Sequence, residues 1–143
     1  MRILVSLSDK TGIVGFINEL IANLPKLEII ATSGTNKYLK KNNIKSIEVS
    51  KYTEFPEILD GRVKTLHPKI FGGLLGTNSN SHQKELKKQG IVNFDVLVIN
   101  LYPFEETIHK TKSKSKIIEM IDIGGHSLIR ASIKNYLKTI PIT

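Results

Sequence analysis

The sequence predicts an α/β fold, a mostly parallel sheet with helices on both faces. Short aliphatic runs alternate with stretches of helical periodicity along the whole chain, which is the pattern of parallel strands joined by helical crossovers. One run, Phe94-Asp95-Val96-Leu97-Val98-Ile99, is nearly continuous in apolar residues, as a central strand covered on both faces must be. No internal repeat and no linker interrupts the alternation, so residues 1–143 read as one domain. A chain of that length can bury a sizeable core without disulfides or metals.

The elements follow in order. Arg2 to Leu7 alternates and is aliphatic, which predicts a strand. Ser8-Asp9-Lys10-Thr11-Gly12 is a turn able to cap a helix, and Ile13, Phe16, Ile17, Leu20, Ile21 and Leu24 recur at helical spacing until Pro25. Leu27 to Ala31 is a second strand, Thr32-Ser33-Gly34-Thr35 a turn, and about Asn36 to Lys41 a helix. Ser46 to Val49 is a short third strand, and Ser50 to Pro68 is mostly loop. Helices are expected from His67 or Pro68 to Leu75 and over Ser81 to Gln89. After the Phe94–Ile99 strand, Pro103 breaks the chain. Further helices are expected over Phe104 to His109 and Lys116 to Ile121. Gly124-Gly125 then precedes a last helix over Ser127 to Tyr136, and Lys138 to Ile142 is a final strand.

Composition narrows the function. Hydrophobic residues are 40% of the chain, too many for a disordered one, and no apolar run approaches the roughly 20 residues of a spanning helix. The N-terminal apolar stretch is too short for a signal peptide. The absence of cysteine excludes disulfides, thiolate catalysis and Cys-ligated zinc, and fits a cytoplasmic protein. The formal charge of +8 suits anionic partners. Much of that excess sits in Lys37, Lys40, Lys41 and Lys45, and in Lys110, Lys112, Lys114 and Lys116, runs that read as solvated faces. Aromatics are only 6% and no nucleic-acid module is recognisable, which disfavours a nucleic-acid binder.

The chemistry concentrates in four polar turns. Ligands of such sheets bind beyond the carboxyl ends of the strands. Ser8 to Gly12 and Thr32 to Thr35 each open a helix, and helix N-termini hold phosphate through free amides and partial positive charge. Asp60-Gly61-Arg62-Val63-Lys64-Thr65-Leu66-His67-Pro68 places two cations and a hydroxyl on a sharp turn, which suits an anion. Asn100-Leu101-Tyr102 is a polar strand end. Each alone reads equally as an ordinary cap or a solvated turn. Neither a Walker loop nor a Gly-x-Gly-x-x-Gly fingerprint is present. His67, His82, His109 and His126 show no metal spacing, and His82 and His109 read as surface residues. In Ile121 to Asn135, Asp122 could cap a helix while Lys134 is a solvated residue. Alternatively the two could meet in a partly buried site, where a lysine can transfer protons.

These residues resemble the inosine monophosphate cyclohydrolase part of the bifunctional purine biosynthesis family. The resemblance rests on Ser6 to Gly12, Phe55-Pro56-Glu57, Asp60 to Pro68, Gly72-Gly73, Asn100 to Phe104, and Ile121 to Gly125 with Arg130, Lys134 and Asn135. It implies a methylglyoxal-synthase-like fold and closure of 5-formamidoimidazole-4-carboxamide ribonucleotide to inosine monophosphate with loss of water. No metal or cofactor is implied. By the resemblance, Ser8, Lys10, Thr11, Ser33, Gly34 and Thr35 meet the nucleotide phosphate, and Asp9 and Thr32 belong to the same substrate-binding set. Arg62, Val63, Lys64 and Thr65 line the site; Asn100, Leu101 and Tyr102 face the ring and formyl end; Asp122, Ile123 and Lys134 complete it. The expected catalytic set is Lys134, oriented by Asp122, for proton transfer, with Lys64, Tyr102 and amides near Asn100 and Leu101 stabilising the formyl oxygen.

The chain departs from the family pattern at Ser33, where a second glycine is common, at His126, usually smaller or proline, and at Tyr136, usually histidine. The transformylase part is absent from these residues. A homodimer, a small-molecule nucleotide substrate and a separate transformylase are the partners expected. The competing reading is a non-catalytic domain on the same fold that senses a phosphorylated metabolite, as in carbamoyl phosphate synthetase. Such a domain needs the phosphate turns but not Lys64, Tyr102, Asp122 and Lys134 together.

Overall fold

The computed structural model describes residues 1–143. Strands β1 (Arg2–Ser6), β2 (Glu28–Ala31), β3 (Ile47–Glu48), β4 (Val96–Ile99) and β5 (Ile140–Ile142) form one sheet in the order β3-β2-β1-β4-β5. Every pairing is parallel. The helices are α1 (Ile13–Asn23), α2 (Ser33–Lys41), α3 (Val49–Thr53), α4 (Pro68–Leu75), α5 (Asn80–Lys88), α6 (Phe104–Lys110), α7 (Lys114–Glu119) and α8 (Ile123–Lys134). The α/β prediction holds, and the sheet is wholly parallel.

Alternation along the strands splits the core in two. Ile3, Val5, Ile29, Ala31, Val96 and Val98 face α1 and α2, where they meet Ile13, Ile17 and Leu39. Leu4, Ile30, Leu97 and Ile99 face the other way, against Ile70 and Leu74 of α4 and Leu128 and Ala131 of α8. All four residues of β4 are buried, as its unbroken apolar run requires. The edge strand β5 tolerates Pro141 because an edge leaves one side of the ladder unpaired. Both lysine runs lie exposed on the surface, as expected from their spacing.

Three elements differ from the sequence expectation. Val49–Thr53 is a five-residue helix within what reads as loop; its Thr53 hydroxyl bonds back to the Val49 carbonyl at 2.9 Å. Helix α2 begins at Ser33, so Ser33, Gly34 and Thr35 form its first turn rather than a separate one. Helix α8 begins at Ile123, four residues early, because Asp122 accepts the Gly125 amide at 2.6 Å and caps it. The Gly-Gly pair therefore lies inside the helix. It is needed for close approach: a Cβ on Gly125 would stand 2.6 Å from Asp122 Oδ2 and 2.7 Å from Leu101.

The same logic fixes α4 against β4. The Gly73 carbonyl accepts the Phe94 amide at 2.9 Å, and a Cβ on Gly73 would meet the Phe94 ring at 2.7 Å and the Val92 carbonyl at 2.9 Å. Phe94 is fully buried and cannot turn away. Gly73→Ala is therefore expected to destabilise the domain by about 1–3 kcal/mol, read as a lower urea midpoint. An unchanged midpoint would contradict the close packing of α4 on β4.

Candidate active site

The strand order reverses at β1. The chain runs outward through β2 to β3 and then returns to place β4 on the other side of β1. In parallel sheets such a reversal opens a crevice at the carboxyl ends. Here it gathers the turn after β1, the start of α2, the turn after β4, the Asp60–Thr65 loop and the N-terminus of α8 around a cavity of about 680 Å³.

One end of the cavity is built from backbone. Ser33, Gly34 and Thr35 begin α2, and their amides have no acceptor within the chain. Free amides at a helix start are anion donors. Thr35 is fully buried; its hydroxyl accepts the Leu7 amide at 3.1 Å and lies 3.3 Å from the Leu7 carbonyl. It thereby clamps the β1 turn to α2. Asn100 does the same from β4. Its Oδ1 accepts the Ser8 amide at 2.7 Å and the Asp9 amide at 3.1 Å, and its Nδ2 donates to the Asp9 carbonyl at 2.7 Å. The Lys10 ammonium folds over this turn and donates to the Leu7 and Ser8 carbonyls at 3.1 and 3.0 Å.

The other end carries the Lys64–Tyr102 pair. The half-buried Lys64 ammonium donates to the Tyr102 hydroxyl at 3.0 Å. Neither Lys10 nor Lys64 forms an ion pair with a carboxylate, whereas Arg62 is paired with Glu119. That pairing raises the Arg62 pKa and lowers that of Glu119, through hydrogen bonding first. Both groups are exposed, so the pair is weak, and Arg62 can exchange Glu119 for an anionic ligand. Asp122 Oδ1 is committed to the Gly125 amide; no partner holds its Oδ2. No three His, Asp or Glu side chains converge as metal ligands.

The cavity thus contains Ser8, Lys10, Thr32, Gly34, Thr35, Arg62, Lys64, Thr65, Asn100, Tyr102, Asp122 and Ile123. Other expected residues are not among its lining. Asp9 accepts the Thr11 amide and hydroxyl at 3.0 and 2.8 Å, bonds that hold its carboxyl below the ordinary range. Ser33 turns its hydroxyl to Glu57. Val63 pairs with Ile58, and Leu101 packs toward Gly125. Asn100 lines the cavity and also braces the Ser8–Asp9 turn.

Lys134 is a correction. It is the last of the 12 residues of α8, about 18 Å along the axis from Asp122 at 1.5 Å per residue, and it is exposed. Within one chain Asp122 cannot orient it. The sequence reading also missed Asp60, Glu119 and the part that Ile118 and Ile121 play, beside the expected Ile123, in an apolar wall of Ile118, Ile121 and Ile123. The last three are more than half exposed, and nothing in the periodicity of that segment marks them.

A second cavity, of about 660 Å³, lies between α4 and α5. His67 stands at its edge, its pKa lowered by burial and then by Lys69. It caps α4 by accepting the Lys69 amide at 3.1 Å.

The MGS-like domain family matches residues 12–127. The chain belongs to that family. It is 53% identical over 138 residues to the bifunctional purine biosynthesis protein PurH of Persephonella marina, covering 94% of this chain and 26% of that one. It is 54% identical over 137 residues to PurH of Thermoanaerobacter sp., covering 94% and 27%. The chain spans about a quarter of the length of these curated relatives. A solved structure, the crystal structure of ForH, superposes with a TM-score of 0.81 at 26% identity, over 99% of this chain and 72% of that one. The MGS-like family and the parallel sheet agree with the methylglyoxal-synthase-like fold expected from the motifs.

Asn100→Ala tests the brace in this MGS-like site. It removes three hydrogen bonds and leaves two amides seeking partners, at about 1–3 kcal/mol. The melting temperature is expected to fall by several degrees. The further rise in melting temperature on adding inosine monophosphate should shrink with it. Full retention of that ligand-induced rise would show that the Ser8–Asp9 turn does not depend on Asn100.

Proposed function

We propose that this domain closes the second ring of inosine monophosphate from 5-formamidoimidazole-4-carboxamide ribonucleotide, with release of water. The observation that carries the reading is the Lys64–Tyr102 pair, 3.0 Å apart, in the same cavity as the free amides of α2. A phosphate-sensing domain has use for the second feature and none for the first. The close relatives named as purine biosynthesis proteins support the same choice.

The phosphate sits on the Gly34 and Thr35 amides, with the Lys10 ammonium beside it. The base packs against Ile118, Ile121 and Ile123. Binding both ends of one molecule brings the carboxamide nitrogen to the formyl carbon, and that alignment is a large part of the rate. As the new C–N bond forms, the formyl oxygen gains charge. Tyr102 accepts from Lys64, so its own O–H proton is free to reach that oxygen, with the Lys64 ammonium replenishing it. The free Oδ2 of Asp122 takes the proton leaving the carboxamide nitrogen. In the second step the C–O bond breaks and the hydroxyl leaves as water with a proton from Asp122. As the C=N bond forms, the formamido nitrogen gives its own proton back through Tyr102 to the neutral Lys64 amine left by the first step, so Lys64, Tyr102 and Asp122 all return to their starting states.

On this reading the substrate comes from a formyl transfer onto the corresponding amine, carried out by a transformylase. On the same reading the domain works as part of a homodimer in the cytoplasm.

The test is to incubate the chain with the formylated ribonucleotide and follow inosine monophosphate by absorbance. Tyr102→Phe and Lys64→Met are expected to lower kcat by about 10²-fold or more while changing nucleotide affinity little. Binding of the nucleotide without turnover would favour the sensing domain. Equal losses of affinity and turnover would remove the oxyanion role.

A further inference from the structure

The loop that carries Arg62 and Lys64 has little to hold it. Ile58, Leu59 and Asp60 are exposed, and the first fully packed residue after them is Thr65. Leu59 and Asp60 have left-handed backbones, with φ of 54° each, beside Gly61 at 83°. Non-glycine residues keep such conformations only where their surroundings hold them. Inside the loop, Ile58 and Val63 exchange backbone bonds of 3.1 and 3.3 Å, and the Gly61 amide donates to the Ile58 carbonyl at 3.2 Å. These bonds shape the turn but do not fasten it to the sheet.

Beyond the exposed Arg62–Glu119 pair and the Lys64–Tyr102 bond within the site, the loop is fastened to the sheet side by Ser33. Ser33, where a glycine is common in the family pattern, is the first residue of α2. Its hydroxyl donates to Glu57 Oε1 at 2.5 Å, and both residues are half-buried. The other oxygen, Glu57 Oε2, lies 3.6 Å from where a Cβ on Gly61 would stand, an ordinary contact distance that places the carboxylate beside the turn. A hydroxyl bonded to a carboxylate is a strong, short link. It joins the helix whose amides receive the phosphate to the loop bearing Lys64.

We infer that Ser33 and Glu57 are positioning residues, a latch that sets Lys64 at a fixed distance from the phosphate-binding amides. Neither is among the residues lining the cavity, and the Ser33 hydroxyl is engaged by Glu57, so the link acts by holding the loop. The inference rests on the cyclohydrolase reading for its kinetic consequence, but not for its structural one.

The experiment uses the full chain and two readouts, amide hydrogen exchange at Gly61, Arg62 and Val63, and steady-state kinetics. Ser33→Ala and Glu57→Ala are each expected to speed exchange at those three amides by about tenfold. The double variant should be no faster than either single one, and the β1 and β4 amides should keep their protection. Ser33→Thr, which keeps the hydroxyl, should restore slow exchange. kcat should fall by about fivefold or more with KM changed by less than about twofold. Unchanged exchange in the single variants, or additive effects in the double one, overturns the latch even if turnover is normal. Loosened amides in a chain that makes no inosine monophosphate uphold the latch and overturn the cyclohydrolase reading instead.

Discussion

The pairing of β1 with β4 sets Ser6 beside Ile99, and the rim of the site follows from that register. One residue beyond each strand the chain must turn, and Asn100 meets the Ser8 and Asp9 amides there. On the other side β1 pairs with β2, with Val5 beside Ala31, which brings Thr35 to Leu7. Two side chains from neighbouring strand ends thus hold one turn from opposite sides. The apolar core supplies the register, and the polar rim inherits its precision from it.

That division of labour separates rigid from adjustable parts. The phosphate end is backbone and short side chains, built on strands whose residues are almost wholly buried. The chemical end is carried by longer side chains on less protected segments. Helices α6 and α7 bury no residue, and Arg62 is joined to Glu119 at the surface. A ligand can replace an exposed ion pair at little cost. A firm end and a more adaptable far end suit the proposed ring closure, in which two groups of one molecule must be folded together.

Much of this was legible in the residues. The unbroken apolar run of β4 and the alternation in β1 set the sheet, and the spacing from Ile13 to Leu20 set α1. Thr35 and Asn100 stand out in the sequence as polar residues near strand ends, yet their bracing of the β1 turn does not, because a hydroxyl or amide that binds a ligand and one that braces a turn look alike in sequence. The start of α8 was misplaced because Gly-Gly signals a turn, whereas here the glycines admit Leu101, Thr65 and the capping carboxylate to the helix surface. Lys134 was drawn toward Asp122 by nearness in sequence; the rise of the intervening helix separates them. Helix α3 is too short for periodicity to reveal, and Glu119 belongs to a helix with no buried face.

The account comes down to whether one pocket joins the α2 amides to the Lys64–Tyr102 pair. Titrating inosine monophosphate into the isotopically labelled chain and mapping amide shifts measures this most directly. Shifts are expected at Ser8 to Lys10, at Gly34 and Thr35, and also at Lys64 and Tyr102, all saturating with one affinity, while Lys134 and the α4–α5 cavity stay still. Shifts confined to the phosphate turns, or centred on His67 and Leu86, would contradict it.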